Sequence, residues 1–277
     1  MAKVEIKAPA KINIGLNIVS KRTDGYHNIE TIFYPISLFD NILFEKADSD
    51  SFSCNNTSLG KERNNLIIKA KEVLEEEFRT KFPLKIVLEK NIPIGAGMGG
   101  GSSDAASALH SINILYDLNL SKEQLNNYAL RLGSDVPFFL DPRPSFASGR
   151  GEILNVLDFT IDFPILIVNP GIHISTKWAF DNIKAKNPYL HLNHIFQQKI
   201  IFANLQDIIT NDFEEVVFYK YPEIAQIKND LLSRGALVSM LTGSGSTVFG
   251  IFDNETKALA AESYFHQKYF TYLHTNK

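Results

Sequence analysis

Residues 93–103 read Pro-Ile-Gly-Ala-Gly-Met-Gly-Gly-Gly-Ser-Ser, and a run of helical character follows at once. Gly95, Gly97, Gly99, Gly100 and Gly101 put five glycines in seven positions. Glycine loses more conformational freedom on ordering than any other residue, so this density suits only a tight turn that exposes its backbone. Such a loop offers bare N–H groups to an anion at close range. A helix behind it adds unpaired N–H donors and the positive end of its dipole. With the strand-like stretch 84–88 ahead of it, the segment reads as strand, phosphate-cradling loop and helix.

The spacing excludes three familiar phosphate loops. A Walker A loop closes on Gly-Lys-Ser/Thr, whereas Gly101 is followed by Ser102-Ser103-Asp104. A dinucleotide fingerprint needs an acidic ribose ligand about 20 residues on; Asp117 is too close and ends a helix. The glycine loop of protein kinases precedes a Val-Ala-x-Lys strand and a His-Arg-Asp segment, and neither occurs.

A chain of 277 residues has room for two ordinary domains, and 44% hydrophobic with 21% charged residues is a soluble globular balance. A net charge of −3 supplies no basic field for a nucleic-acid backbone, so no nucleic-acid partner is expected. The single Cys54 excludes an intrachain disulfide and a cysteine-based zinc site, and belongs in a loop or edge strand. No apolar run approaches the roughly 18 residues of a membrane span, and strand-like sequence begins by Val4. A cytoplasmic protein without membrane contact is the simplest expectation.

Residues 3–46 alternate apolar and polar, which predicts half-buried strands of a mostly antiparallel sheet. Helical spacing over 66–78 puts Leu66, Ala70, Val73, Leu74 and Phe78 on one face. A small-residue helix is expected over 102–115. Ser121-Lys-Glu-Gln124 opens another as a capping box, with Gly133 at its end. Further helices are expected near 175–184, 222–233 and 255–268, and a buried strand over 163–168. The stretches 236–241 and 247–252 read as a hairpin around Gly243-Ser-Gly-Ser246. These elements suggest a domain boundary near residue 156.

Several side chains carry chemistry. Lys11 and Asn13 lie two apart in Ala8-Pro-Ala-Lys-Ile-Asn-Ile-Gly15 and share a strand face; the bland reading of Lys11 is a solvated edge lysine. Asp135, in Gly133-Ser-Asp-Val-Pro-Phe-Phe139, is either a helix cap shared with Ser134 or a base. Phosphoryl transfer to an alcohol needs a carboxylate for the hydroxyl proton and a cation for the charge. Asp24-Gly-Tyr26-His27 is a turn leading into an aromatic and an imidazole, which reach one ligand together only at a bulge or loop end. His191-Leu-Asn-His194 has no acidic companion and is read as structural or exposed. The second glycine turn, Gly243-Ser244-Gly245-Ser246-Thr247, has apolar flanks able to hold it against the first loop.

Taken in order, these segments resemble the GHMP kinases, a family that includes galactokinase, homoserine kinase and mevalonate kinase. The likeness runs from about residue 4 to 252. It is most specific where Asp24-Gly-Tyr-His27 occurs together with Gly133-Ser-Asp-Val-Pro137, and Gly149-Arg-Gly-Glu152 adds to it. The resemblance implies an α+β, two-domain GHMP kinase fold. Its ATP-binding domain over 1–156 would be ribosomal protein S5 domain 2-like, and its C-terminal domain over 157–277 ferredoxin-like.

By the same resemblance, Lys11 and Asp135 are catalytic, with Asp135 the base and Lys11 its polarising partner. ATP would lie on Pro93, Gly95, Ala96, Gly97, Met98, Gly99, Gly100, Gly101, Ser102 and Ser103, with Asn65 near adenine. Asn13, Tyr26, His27, Thr176, Phe180, Gly243 and Ser244 would bind the acceptor. That acceptor is implied to be a cytidine diphosphate-linked methylerythritol, its base between Tyr26 and Phe180, with Trp178 a possible substitute for Phe180. Mg²⁺ would accompany ATP, with Ser102 or Ser103 reaching phosphate or metal and no carboxylate assigned to the ion. A monomer or weak homodimer is expected. A kinase for another small alcohol, or a non-catalytic ATP-binding protein of the same fold, are the alternatives.

Overall fold

The computed structural model describes residues 2–56, 65–185, 191–192 and 205–275. Two compact units emerge, each assembled from separate stretches of chain. The first comprises Met1–Ala10, Leu38–Ile94 and Gly99–Pro142, and the second Lys11–Ser37, Gly95–Met98 and Arg143–Lys277. Strands β1 (Lys3–Lys21) and β2 (His27–Lys46) each contribute one end to either unit.

In the first unit, β2 pairs antiparallel with β4 (Leu84–Glu89), and β4 pairs parallel with the edge strand β3 (Ser51–Cys54). Cys54 therefore sits on an edge, as expected. Helix α1 (Leu66–Phe78) packs along α2 (Gly100–Leu115) and α3 (Lys122–Leu132). The bounds of α1 match the sequence pattern, but its buried face is rotated. Ile67, Ala70, Lys71, Leu74 and Glu75 are buried, whereas Phe78 is exposed. The cause is internal pairing: Lys71 Nζ donates to Glu75 Oε1 at 2.6 Å and to Asp50 at 2.8 Å, which lets two charged side chains occupy the inner face.

Ala105, Ala106 and Ala108 are buried along α2, so neighbouring helices approach its backbone closely. Helix α3 opens with the reciprocal Ser121–Gln124 capping box and closes at Gly133. A 3₁₀ turn follows over Pro137–Leu140, with Val136 at its N-cap. Neither Ser134 nor Asp135 holds that position, which corrects the capping reading of both.

In the second unit, β2 pairs with β5 (Ser145–Ser148), which pairs with β6 (Ile153–Val156). A four-stranded antiparallel sheet has the order β10–β7–β9–β8, formed by β7 (Ile165–Asn169), β8 (Ala236–Leu241), β9 (Val248–Phe252) and β10 (Phe270–His274). Numbered from its own first strand, that order is 4-1-3-2. Helices α4 (Thr176–Asn182), α5 (Phe213–Lys220) and α6 (Pro222–Ser233) precede the β8–β9 hairpin, and α7 (Glu255–Phe265) follows it. This is the ferredoxin-like arrangement the resemblance implied.

Strands β7 and β9 are buried at every position. Their core includes Leu166, Val168, Val248 and Phe252 packed with Phe213, Ile227, Leu231 and Phe265. Helix α5 and strand β10 were not anticipated from the sequence.

Candidate active site

In the second unit a hydrogen-bond network centred on Asn13 holds Lys11. Lys11 is 3% exposed, so the solvated-edge reading is wrong. Its Nζ donates to Asn13 Oδ1 at 2.6 Å and lies 4.8 Å from the centroid of the Phe33 ring. Asn13 Nδ2 donates to Thr31 Oγ1 at 2.9 Å, and the Thr31 hydroxyl donates to the Gly15 carbonyl at 2.6 Å. The Thr242 hydroxyl donates to Asn13 Oδ1 at 3.2 Å while accepting from the Asn13 N–H at 3.0 Å. Asn13, only 1% exposed, therefore orients the ammonium.

The two glycine turns meet within this unit. The Lys11 N–H donates to the Met98 carbonyl, and Thr247 N–H to that of Ala96. Gly97 has φ +78, and a Cβ there would lie 2.1 Å from the Thr242 carbonyl oxygen. Gly243 has φ +56, and its Cβ would lie 2.9 Å from the Gly97 oxygen. Only glycine satisfies both the left-handed backbone and the contact. Asn211 braces the second turn, its amide donating to the carbonyls of Leu241 and Gly243 at 2.8 and 2.9 Å. Nothing in the sequence around Asn211 signals this role. The expectation for His194 lies outside the described residues, while His191 is half-exposed and bonded to Glu30 at 2.7 Å.

A second cluster in the same unit gathers the expected acceptor residues. Tyr26 ends the turn before β2, so it and His27 escape strict strand alternation. His27 stacks on Phe180, with centroids 5.0 Å apart and planes 17° apart, and Phe213 abuts Phe180 edge-on at 4.9 Å. Tyr26 is 53% exposed and lies beneath the Arg150 guanidinium at 4.7 Å. The ring stacked on Phe180 is that of His27. Trp178 is engaged by Lys220 at 3.9 Å and the edge of Tyr221, so of the two aromatics Phe180 is the one beside His27. Burial, with the Lys21 ammonium adding to it against Asp181, holds the His27 imidazole below its ordinary pKa; it is neutral at pH 7. Thr176 and Ser244 share a hydroxyl–hydroxyl bond of 3.1 Å.

In the first unit, Gly99 is the left-handed N-cap of α2, and the Ser103 N–H donates to its carbonyl at 2.9 Å. The Ser103 hydroxyl is buried without a partner, so Ser102, only half-buried, is the serine with surface to offer. Ala96 and Met98 are buried, which leaves only their main chain for a ligand. Asn65 is the N-cap of α1, its Oδ1 accepting from Ile67 N–H at 2.9 Å. Asp135 belongs to this unit and Lys11 to the other.

Comparison with known proteins adds to this geometry. Residues 65–141 match the GHMP kinases N terminal domain, and residues 198–271 the GHMP kinases C terminal. A 4-diphosphocytidyl-2-C-methyl-D-erythritol kinase of Chlorobium chlorochromatii is 44% identical over 93% of this chain and 91% of its own length. One from Bacteroides fragilis is 42% identical over 90% of this chain and 92% of its own. A crystal structure of 4-(cytidine 5'-diphospho)-2C-methyl-D-erythritol kinase aligns with TM-score 0.83 and 31% identity, covering 98% of both chains. The homoserine kinase of Cytophaga hutchinsonii aligns with TM-score 0.77 over 99% of this chain and 95% of its own; at 15% identity it shares the fold alone.

Proposed function

The chain belongs to the GHMP kinases, and from that premise we propose that it phosphorylates a hydroxyl of 4-diphosphocytidyl-2-C-methyl-D-erythritol with ATP. The products are the 2-phosphate and ADP, a step of isoprenoid precursor synthesis. The observation that carries this reading is the match to kinases of that name along nine-tenths of both chains. The 1–156 and 157–277 division, with ATP on the first part, is proposed with it; residue 156 falls between the two family matches.

The glycine loop and the start of α2 hold the phosphates through main-chain N–H groups. Mg²⁺ bound with ATP would neutralise charge on the phosphates. Among the described residues no three His, Cys, Asp or Glu side chains converge as a metal site. Ser102, the half-buried hydroxyl of the loop, would be the side chain offered to phosphate or metal.

Asp135 takes the hydroxyl proton. Lys11, desolvated and held by Asn13, steadies the charge on the attacking oxygen. A buried cation acts more strongly than a solvated one, because water screens it less. Tyr26, the His27–Phe180 stack and the Thr176–Ser244 hydroxyl pair bind the cytidine end. A neutral His27 offers one ring donor and one acceptor to the edge of a base. A protein working in the cytoplasm as a monomer or weak homodimer completes the proposal; no described helix is long and apolar enough to cross a membrane.

An ADP-release assay across a panel of alcohols tests the substrate. Turnover of the cytidyl alcohol alone is expected. Turnover of homoserine or mevalonate instead would move the chain to another branch, and ATP binding without turnover of any acceptor would make it non-catalytic. In the mechanism, Asp135→Asn lowers kcat by about 10²–10⁴ while leaving the affinity for a non-hydrolysable ATP analogue near its original value. Unchanged turnover removes Asp135 from the reaction.

A further inference from the structure

Within the first unit lies a buried group of three charges that the proposed chemistry does not use. Lys90, at the end of β4, donates from Nζ to Asp40 Oδ2 and, at 2.8 Å, to Asp104 Oδ2. The three side chains are 5%, 0% and 6% exposed. Asp40 also holds the main chain, its Oδ1 accepting the N–H groups of Asn91 and Ile92 at 2.6 and 2.9 Å. The Asn91 amide in turn donates to the Phe39 carbonyl at 3.0 Å. Asn55 brackets the Lys90 backbone from the other side, accepting its N–H at 2.8 Å and donating to its carbonyl at 3.3 Å. Asp104 lies in the first turns of α2. The group therefore joins the chain just before the glycine loop to the helix just after it.

We propose that Asp40, Lys90 and Asp104 are positioning residues for nucleotide binding, which fix the distance between the two ends of the glycine loop. This rests on reading that loop as the ATP cradle. A cradle of main-chain donors discriminates by geometry, and displacement of one end misaligns every donor at once. The contact is direct at Gly100: a Cβ there would lie 2.9 Å from Lys90 Nζ and 3.0 Å from Ile92 Cγ2. An ammonium held by two carboxylates cannot swing away, so the start of α2 rests on a rigid floor. Stability alone does not account for the group, because a buried ion network is often no more stabilising than apolar residues of the same volume. The unpartnered, buried Oδ1 of Asp104 underlines that cost.

Asp40→Asn is the direct test. A carboxylate serves Lys90 with one oxygen and two N–H groups with the other, whereas an amide has a single acceptor oxygen and must release one side. Binding of the Mg²⁺ complex of adenylyl imidodiphosphate is measured by calorimetry, alongside melting temperature and steady-state kinetics. Glu75→Gln is the control, since it breaks a second charge network of the same unit, in which the buried Lys71–Glu75 pair is joined by the more exposed Asp50. The expected result is at least a tenfold loss of analogue affinity and a matching rise in KM for ATP in Asp40→Asn. Its kcat and acceptor KM stay near their original values, and Glu75→Gln loses melting temperature without losing analogue affinity. Asp104→Ala, which leaves the Asp40–Lys90 pair intact, gives the same loss of affinity if Asp40→Asn does not fold. Unchanged affinity in the folded variants overturns the inference alone, as does a loss that merely tracks melting temperature in all three. A wild-type chain that binds no analogue overturns the nucleotide reading as well.

Discussion

Gly97 has no space for a side chain, and the reason lies in a carbonyl 145 positions away, at Thr242. Gly97→Ala therefore combines a left-handed backbone with a clash against main chain. A loss on the order of 3 kcal/mol is expected; a urea midpoint equal to that of wild type would contradict the interlocked turns. Asp104 makes a second prediction at this scale. Burial raises its pKa, Lys90 opposes that, and Asp40 adds to it, with the net result pushed up to about 7. Lys90 stays charged: burial works against its ammonium, but Asp104 and Asp40 outweigh it and raise its pKa. The folded chain thus holds a proton on Asp104 that the unfolded chain has released above about pH 4. Its contribution to stability falls as pH rises from about 4 to 7 and is level above that. Asp104→Asn removes this term, so thermal melts at pH 5 and pH 8 should diverge less in the variant than in wild type. Equal divergence would show that another group titrates. Lys11 shows what the sequence conceals. Lys-Ile-Asn on a strand reads equally well as solvated or buried, and the burial arises from Thr31 and Thr242, which no spacing rule connects to it.

Elements were legible where local signals and tertiary contacts agree. The span of α1, the capping box of α3 and the β8–β9 hairpin all follow from periodicity, caps and glycines. The inner face of α1 does not, because a hydrophobic count ranks Lys71 and Glu75 as outward and ignores that they neutralise each other. Helix α5 escaped notice for a different reason. Its N-cap residue Asp212 makes no capping bond and instead accepts the Ile18 N–H at 2.6 Å, so the start signal is spent on a distant strand. The glycines of both turns stand out in the sequence, yet the brace of the second turn at Asn211 and the Lys90 contacts with Asp40 and Asp104 do not, since they join residues remote in sequence. Ser121→Ala tests the local term by itself. Loss of the cap should cost about 1 kcal/mol in a denaturant melt while KM for both substrates holds. A shift in KM would tie α3 to the nucleotide site.

At the scale of the whole molecule, burial is unevenly spread along the strands. Every residue of β7 and β9 is buried, and both strands are paired on two sides, whereas β6 is a largely exposed edge. Amide exchange reports the opening free energy of such segments. Protection is therefore expected to be greatest in β7 and β9 and weakest in β6 and the edge strand β3. Protection in β6 equal to that in β9 would place another surface over that edge. The net charge of −3 supplies no long-range attraction for polyanions.

The interlocking of Gly97 with Thr242 and Gly243, and of Ala96 with Thr247, also bears on biosynthesis. A growing polypeptide that has left the ribosome only as far as residue 230 already carries its whole polyglycine stretch, but not the hairpin against which that stretch is shaped. Nucleotide capture should therefore switch on late, when the final few dozen residues emerge. Fragments ending before the hairpin should be blind to ATP however well their helices form.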